Sequence, residues 1–128
     1  MILFLAITTA GCCSWIRTSG QTAGNREIHV QSDASIPAED ETVEVSKKNP
    51  KIDYVLSAVA GDKLDIEWKD SAAANKVFDK HCQTDAKCWV KVKNDKPYGQ
   101  PPTEFRYTIV VSHAAGSPDR NDPIIIWR

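Results

Sequence analysis

Lys63-Leu64-Asp65-Ile66-Glu67-Trp68-Lys69 alternates apolar and charged residues without a break. A period of two sends successive side chains to opposite faces, so Leu64, Ile66 and Trp68 point one way while Asp65, Glu67 and Lys69 point the other. A sandwich strand with one buried and one wet face must read like this. Burying the three apolar side chains contributes roughly 5–8 kcal/mol before entropy, at about 1.5–3 kcal/mol each. In front of the segment, Ala60-Gly61-Asp62 turns the chain out of residues 52–59, where Ile52, Tyr54, Leu56 and Ala58 share a side.

Working outward, the same period recurs between Gly, Pro, Asn and Asp punctuation. Residues 27–31 form a short first candidate strand, followed by a polar link over 32–41 containing Pro37; residues 42–46 put Val43 and Val45 on one face, and Asn49-Pro50 ends them. Beyond the central strand, residues 70–74 are a small-residue loop with helical propensity, and 75–78 a brief strand. Residues 88–93 align Cys88, Val90 and Val92 against Trp89, Lys91 and Lys93, and residues 94–103, with Pro97, Pro101 and Pro102, must be a loop. Residues 105–111 align Phe105, Tyr107, Ile109 and Val111; a turn-rich stretch over 113–123 leads to Ile124-Ile125-Ile126-Trp127, whose unbroken apolar run predicts a strand covered on both faces. Seven or eight short strands with no long amphipathic helix predict an all-β Greek-key β-sandwich, and no internal repeat is present.

The 128 residues leave room for one domain and a short extension. Sixteen Lys+Arg against 17 Asp+Glu give a net charge of −1, and 26% of residues are charged. That balance excludes a multi-span membrane protein and a disordered charged tail. It also argues against nucleic acid as a partner, because duplex binding draws on an excess of Lys and Arg. Setting aside Arg17 and Arg26 leaves the body from Glu27 onward with 14 Lys+Arg against 17 Asp+Glu, so the argument holds there too.

Residues 2–13, Ile-Leu-Phe-Leu-Ala-Ile-Thr-Thr-Ala-Gly-Cys-Cys, are too short to span a bilayer, which takes about 20 apolar residues, and suit the h-region of a secretory signal. The basic n-region that usually precedes such a run is missing before Ile2. Thr9-Ala10-Gly11-Cys12 resembles the bacterial lipobox, in which the Cys is acylated and becomes the new N-terminus; Thr9 stands where Leu is usual, and Cys13 follows directly. The expected organisation is a lipoprotein-type signal peptide over 1–11, lipidation at Cys12, a Ser/Thr/Gly-rich flexible tether over 12–26, and a β-sandwich over 27–128. The alternative is an unprocessed terminus that exposes Ile2 to Ile7 and two adjacent thiols.

Within the body, Val59-Ala60-Gly61-Asp62-Lys63-Leu64-Asp65-Ile66-Glu67-Trp68-Lys69-Asp70 resembles the Gly-Asp turn and Trp-ended strand of bacterial cupredoxins. Asn75-Lys76-Val77-Phe78, Phe105-Arg106-Tyr107-Thr108-Ile109 and Asp122-Pro123-Ile124-Ile125-Ile126 resemble further strands of that family. The resemblance implies a cupredoxin-like sandwich, with an immunoglobulin-like one as the alternative. It departs at the metal centre, which takes two His, a Cys and a weak axial ligand. Ala74, Ile109 and Ser112 stand near the ligand positions, His113 is one residue off, and Met1 is the only Met. No copper or other cofactor is therefore expected.

Cys82 and Cys88 enclose five residues, and in an exported protein the default is a disulfide stapling this loop, contributing roughly 2–3 kcal/mol. A metal site from His81, Cys82 and Cys88 with His113 or His29, and free thiols, are the competing readings. His29, His81 and His113 are scattered, and no Ser or Cys stands in a nucleophile motif, so no catalytic residue is assigned. Asp33, Glu39, Asp40, Glu41 and Glu44 read as a solvated acidic edge, with weak calcium binding as the alternative. Trp89 beside Lys91 and Lys93 could form an interaction surface, unless Lys stems or the Pro-rich loop cover the indole. The expectation is a membrane-anchored cell-envelope protein, facing the periplasm or exterior, whose non-catalytic sandwich serves a structural or interaction role. A cupredoxin-related copper-binding or electron-transfer protein is the alternative.

Overall fold

In a computed structural model, residues 25–47, 50–57 and 60–128 are described. The expected signal peptide, Cys12 and most of the tether lie outside these residues. The body is an all-β sandwich of nine strands: β1 (Arg26–Val30), β2 (Thr42–Val45), β3 (Lys51–Leu56), β4 (Lys63–Trp68), β5 (Phe78–Thr84), β6 (Lys87–Val92), β7 (Thr103–Ser112), β8 (Asp119–Asn121) and β9 (Ile124–Trp127). A short 3-10 turn, Ala38–Asp40, precedes β2, and a one-turn helix α1, Ser71–Ala74, follows β4. Asp70 caps α1 by accepting a hydrogen bond from the Ala73 amide at 3.1 Å.

One sheet has the order β1-β3-β6-β5, with β1 and β3 parallel and the other pairs antiparallel. The other is built on β7, which is ten residues long. Its one edge carries β4 antiparallel over Tyr107–Ser112; its other edge carries β8 and then β9, and β9 in turn pairs in parallel with β2. β8 and β9 keep one common register against β7, so they behave as a single strand interrupted at Pro123, which has no amide proton to give to the ladder. This interrupted strand adds Asp119–Asn121 to the sheet inside the stretch expected to be turns.

The expected faces are buried. Val43, Val45, Ile52, Tyr54, Leu56, Leu64, Ile66, Cys88, Val90, Val92, Tyr107, Ile109 and Val111 are almost inaccessible between the sheets. At mid-core the Tyr54 hydroxyl on β3 donates to the Tyr107 hydroxyl on β7 at 2.9 Å, linking the two sheets. Burial, followed by the neighbouring Tyr107, pushes the Tyr54 hydroxyl well above the usual range, and burial likewise raises Tyr107.

Several expectations are corrected. The first strand starts at Arg26, inside the expected tether, and the Asn25 amide bonds to the Lys51 carbonyl. Residues 75–77 are a turn, and the strand placed there is β5, which begins at Phe78 and runs through Cys82. Alternation could not find β5, because it is an edge strand on which only Phe78 is fully buried. β9 is not covered on both faces: Ile125 and Trp127 are buried, while Ile124 and Ile126 are half-buried on the outer surface. Asp40 is not on a solvated edge: it is 2% exposed and paired with Arg26. Its burial raises the carboxyl above its ordinary range, with Arg26 acting in the opposite direction.

Candidate functional site

Three places gather side chains capable of recognition. The first is the β5–β6 hairpin. Cys82 and Cys88 are bonded to each other, and they stand directly opposite across the two paired strands. The disulfide therefore braces a hairpin ladder; it does not close an irregular loop as the spacing suggested. Next to it on the outer face, Trp89 lies across from His81 on β5 and Asp53 on β3. The His81 ring is 5.8 Å from the indole, and the Lys51 ammonium sits 5.6 Å from its centroid. Trp89 is half-buried and Lys91 is exposed on the same face; Lys93, just past the strand end, pairs with Asp79 at 3.7 Å. The cation over the indole comes from Lys51 on the neighbouring strand, and the Pro-rich loop lies elsewhere. Its Lys96 places an ammonium 4.8 Å over the Trp127 ring while donating to Thr103 Oγ1 at 2.8 Å.

The second place is the end of the sandwich where β4 begins. His113, just beyond β7, contacts Asp62 through Nδ1 and Asp119 through Nε2, each at 2.8 Å. A neutral imidazole has only one N–H, so facing carboxylates on both sides favour the imidazolium, which donates twice. The hydrogen bonds from Asp62 and then Asp119 raise the His113 pKa above its ordinary value. The Asp62 side chain is 5% exposed, and its second oxygen is buried without a hydrogen bond among the described residues. The clasp closes on a tight turn: Gly61 has φ +87°, and a Cβ there would stand 2.8 Å from the Ala114 Cβ. In the sequence His113 stands apart from the other two His. Residues 62, 113 and 119 carry no shared motif, and only the β4–β7 and β7–β8 pairings unite them.

The third place is the opposite end, where β4 stops. A cleft of about 330 Å³ opens there, with Lys69, Asp70 and Ala73 on one wall and residues 103–106 of β7 on the other. Phe105 packs edge-on against Phe78 at 5.0 Å, and Phe78 stacks on Trp68 at 5.1 Å. Thr108, buried nearby on β7, donates to Asp122 at 2.7 Å; this bond, then Lys69 at 3.3 Å, holds the Asp122 carboxyl below the usual carboxylate range. Among the described residues no acceptor reaches the buried indole N–H of Trp68 or of Trp127. The cleft was missed in the sequence, although one signal was present: the apolar period of β7 outlasts that of its partner β4.

The three His do not converge: His29 pairs with Glu27 at 3.3 Å, His81 lies on Trp89, and His113 is held by its two carboxylates. Ala74 lies in α1 beside the cleft, Ile109 in the core, and Ser112 at the far end of β7. Among the described residues, no group of three or more His, Cys, Asp or Glu could hold a metal ion, and no helix is long and apolar enough to cross a membrane. No known protein family matches this chain, and no curated protein matches it.

Proposed function

We propose that this chain is a lipid-anchored cell-envelope protein whose β-sandwich is a non-catalytic interaction module. The observation that carries the module reading is the outer face of the β1-β3-β6-β5 sheet. There a half-buried Trp89, flanked by His81, Lys51 and Lys91, rides on a hairpin braced by the Cys82–Cys88 disulfide. A half-buried aromatic residue beside Lys51, itself paired with Asp53 at 3.5 Å, and Lys91 supplies contact area with little conformational entropy to lose, as binding hot spots require. Support for the anchor comes from the Thr9-Ala10-Gly11-Cys12 resemblance and from the disulfide, which suits an oxidising compartment.

Intact-mass spectrometry of the protein purified from its source membranes tests the anchor. The expected mass corresponds to a chain starting at Cys12, acylated there, with one disulfide; Met1 retained and four free thiols overturn the envelope reading. Copper addition tests the cupredoxin-related alternative. A strong thiolate-to-copper band in the visible spectrum would replace the module reading with a metal-handling one.

A further inference from the structure

The hydrogen-bond parity of β7 determines what the cleft offers. Tyr107 donates its amide to Pro123 O on the β9 side, and Arg106 O accepts from the Lys69 amide on the β4 side. In an antiparallel ladder the bonding direction alternates residue by residue, so odd-numbered residues of β7 face β9 and even-numbered ones face β4. β9 pairs with β7 down to Thr103, but β4 ends at Trp68 and the chain turns into α1. The N–H and C=O of Glu104 therefore point into the cleft, with no strand opposite them.

The exposed edge of β4 is treated differently. The Leu64 amide donates to Asp85 O, the Ile66 amide donates to Asp65 Oδ1 at 2.8 Å, and Ile66 O accepts from the Lys80 ammonium. One edge of the sheet is thus blocked by its own side chains and neighbouring backbone, a common protection against pairing with other chains. The edge at Glu104 is left with a donor and an acceptor at β-spacing, beside a recess with an apolar floor at Phe105 and Ala73. Glu104 and Arg106 pair with each other on the outer face at 3.1 Å, Lys69 is paired with Asp122, and Asp70 accepts from the Ala73 amide, so the two cations of the rim are already matched by carboxylates.

We propose that this cleft receives an extended peptide segment of a partner protein, which adds as a short strand beside Glu104 of β7 and seats a small apolar side chain against Phe105 and Ala73. This goes beyond the interaction-module reading, which rests on the Trp89 face, and it is independent of the Cys12 anchor. Main-chain bonds to Glu104 supply register, and the recess supplies side-chain selectivity.

The test uses the full chain with its disulfide intact and a display library of random peptides about eight residues long. Enriched peptides are expected to slow hydrogen exchange at the Glu104 amide. N-methylation at the peptide position that donates to Glu104 O should weaken binding about tenfold, and methylation at the positions on either side of it should leave binding unchanged. Ala73→Arg, which fills the cleft, should lower affinity by at least about tenfold, whereas Lys63→Ala, exposed at the opposite end of β4, should not change it. No enrichment, no protection at Glu104, equal tolerance of N-methylation at every position, or full binding by Ala73→Arg each overturns the proposal. Peptides that bind through Trp89 instead would overturn the cleft while leaving the module reading intact.

Discussion

At the end of the sandwich where β4 begins, Asp62 and Asp119 hold both ring nitrogens of His113 over a glycine turn. At the end where β4 stops, Trp68, Phe78, Phe105 and Trp127 pack ring on ring and leave a cleft beside Glu104. Charge closes the first end, and its strength depends on a proton; apolar packing supports the second, and its strength depends on volume. The difference shows how one short sandwich can fix one end while keeping strand-pairing capacity at the other.

Four variants separate the two ends, starting with the largest effect. Phe78→Ala removes the ring that joins Trp68 to Phe105 and should cost about 3–5 kcal/mol in urea unfolding, the range for a buried Phe. A loss below about 1 kcal/mol would mean that aromatic packing does not hold the cleft end. Replacing both Cys82 and Cys88 by Ala should cost about 2–3 kcal/mol and leave the circular-dichroism spectrum near that of the parent, because the ladder persists without the bond. Gly61→Ala places a methyl group against Ala114 at positive φ and should cost about 1–3 kcal/mol. An unchanged melting temperature would show that the clasp end tolerates movement.

The smallest effect is the pH dependence. His113 titrates higher in the folded chain than in the unfolded one, so its contribution is complete below the unfolded value of about 6.5 and is lost as pH rises through the folded value. Melting temperature should therefore fall as pH rises above about 6.5 in the parent, and this decline should be absent from His113→Gln. Equal slopes for both proteins would assign the dependence to other groups.

The strands with one buried face were legible because period two records burial directly: Val43 and Val45, Leu64 and Ile66, Cys88 to Val92 and Phe105 to Val111 all point inward as their spacing required. β5 was not legible, because an edge strand carries mostly exposed side chains, among them Asp79, His81 and Gln83. The inward position of Lys80 looks like a break in the pattern, yet its ammonium caps a carbonyl of the opposite sheet. Asp40 read as surface for a similar reason: a carboxylate carries no sign in the sequence that an Arg 14 residues away will bury it.

The sequence by itself determined the all-β class and the inward face of most strands, since each depends on short-range spacing; it left the Cys82–Cys88 disulfide beside a metal site and free thiols, and the β5–β6 register decided it. Tertiary structure alone decided that His113 meets Asp62, that Lys51 covers Trp89, and that β7 outlasts β4 to leave Glu104 facing a cleft. Those features arise from register between strands far apart in the chain, and register is fixed by how the two sheets bury their apolar faces together.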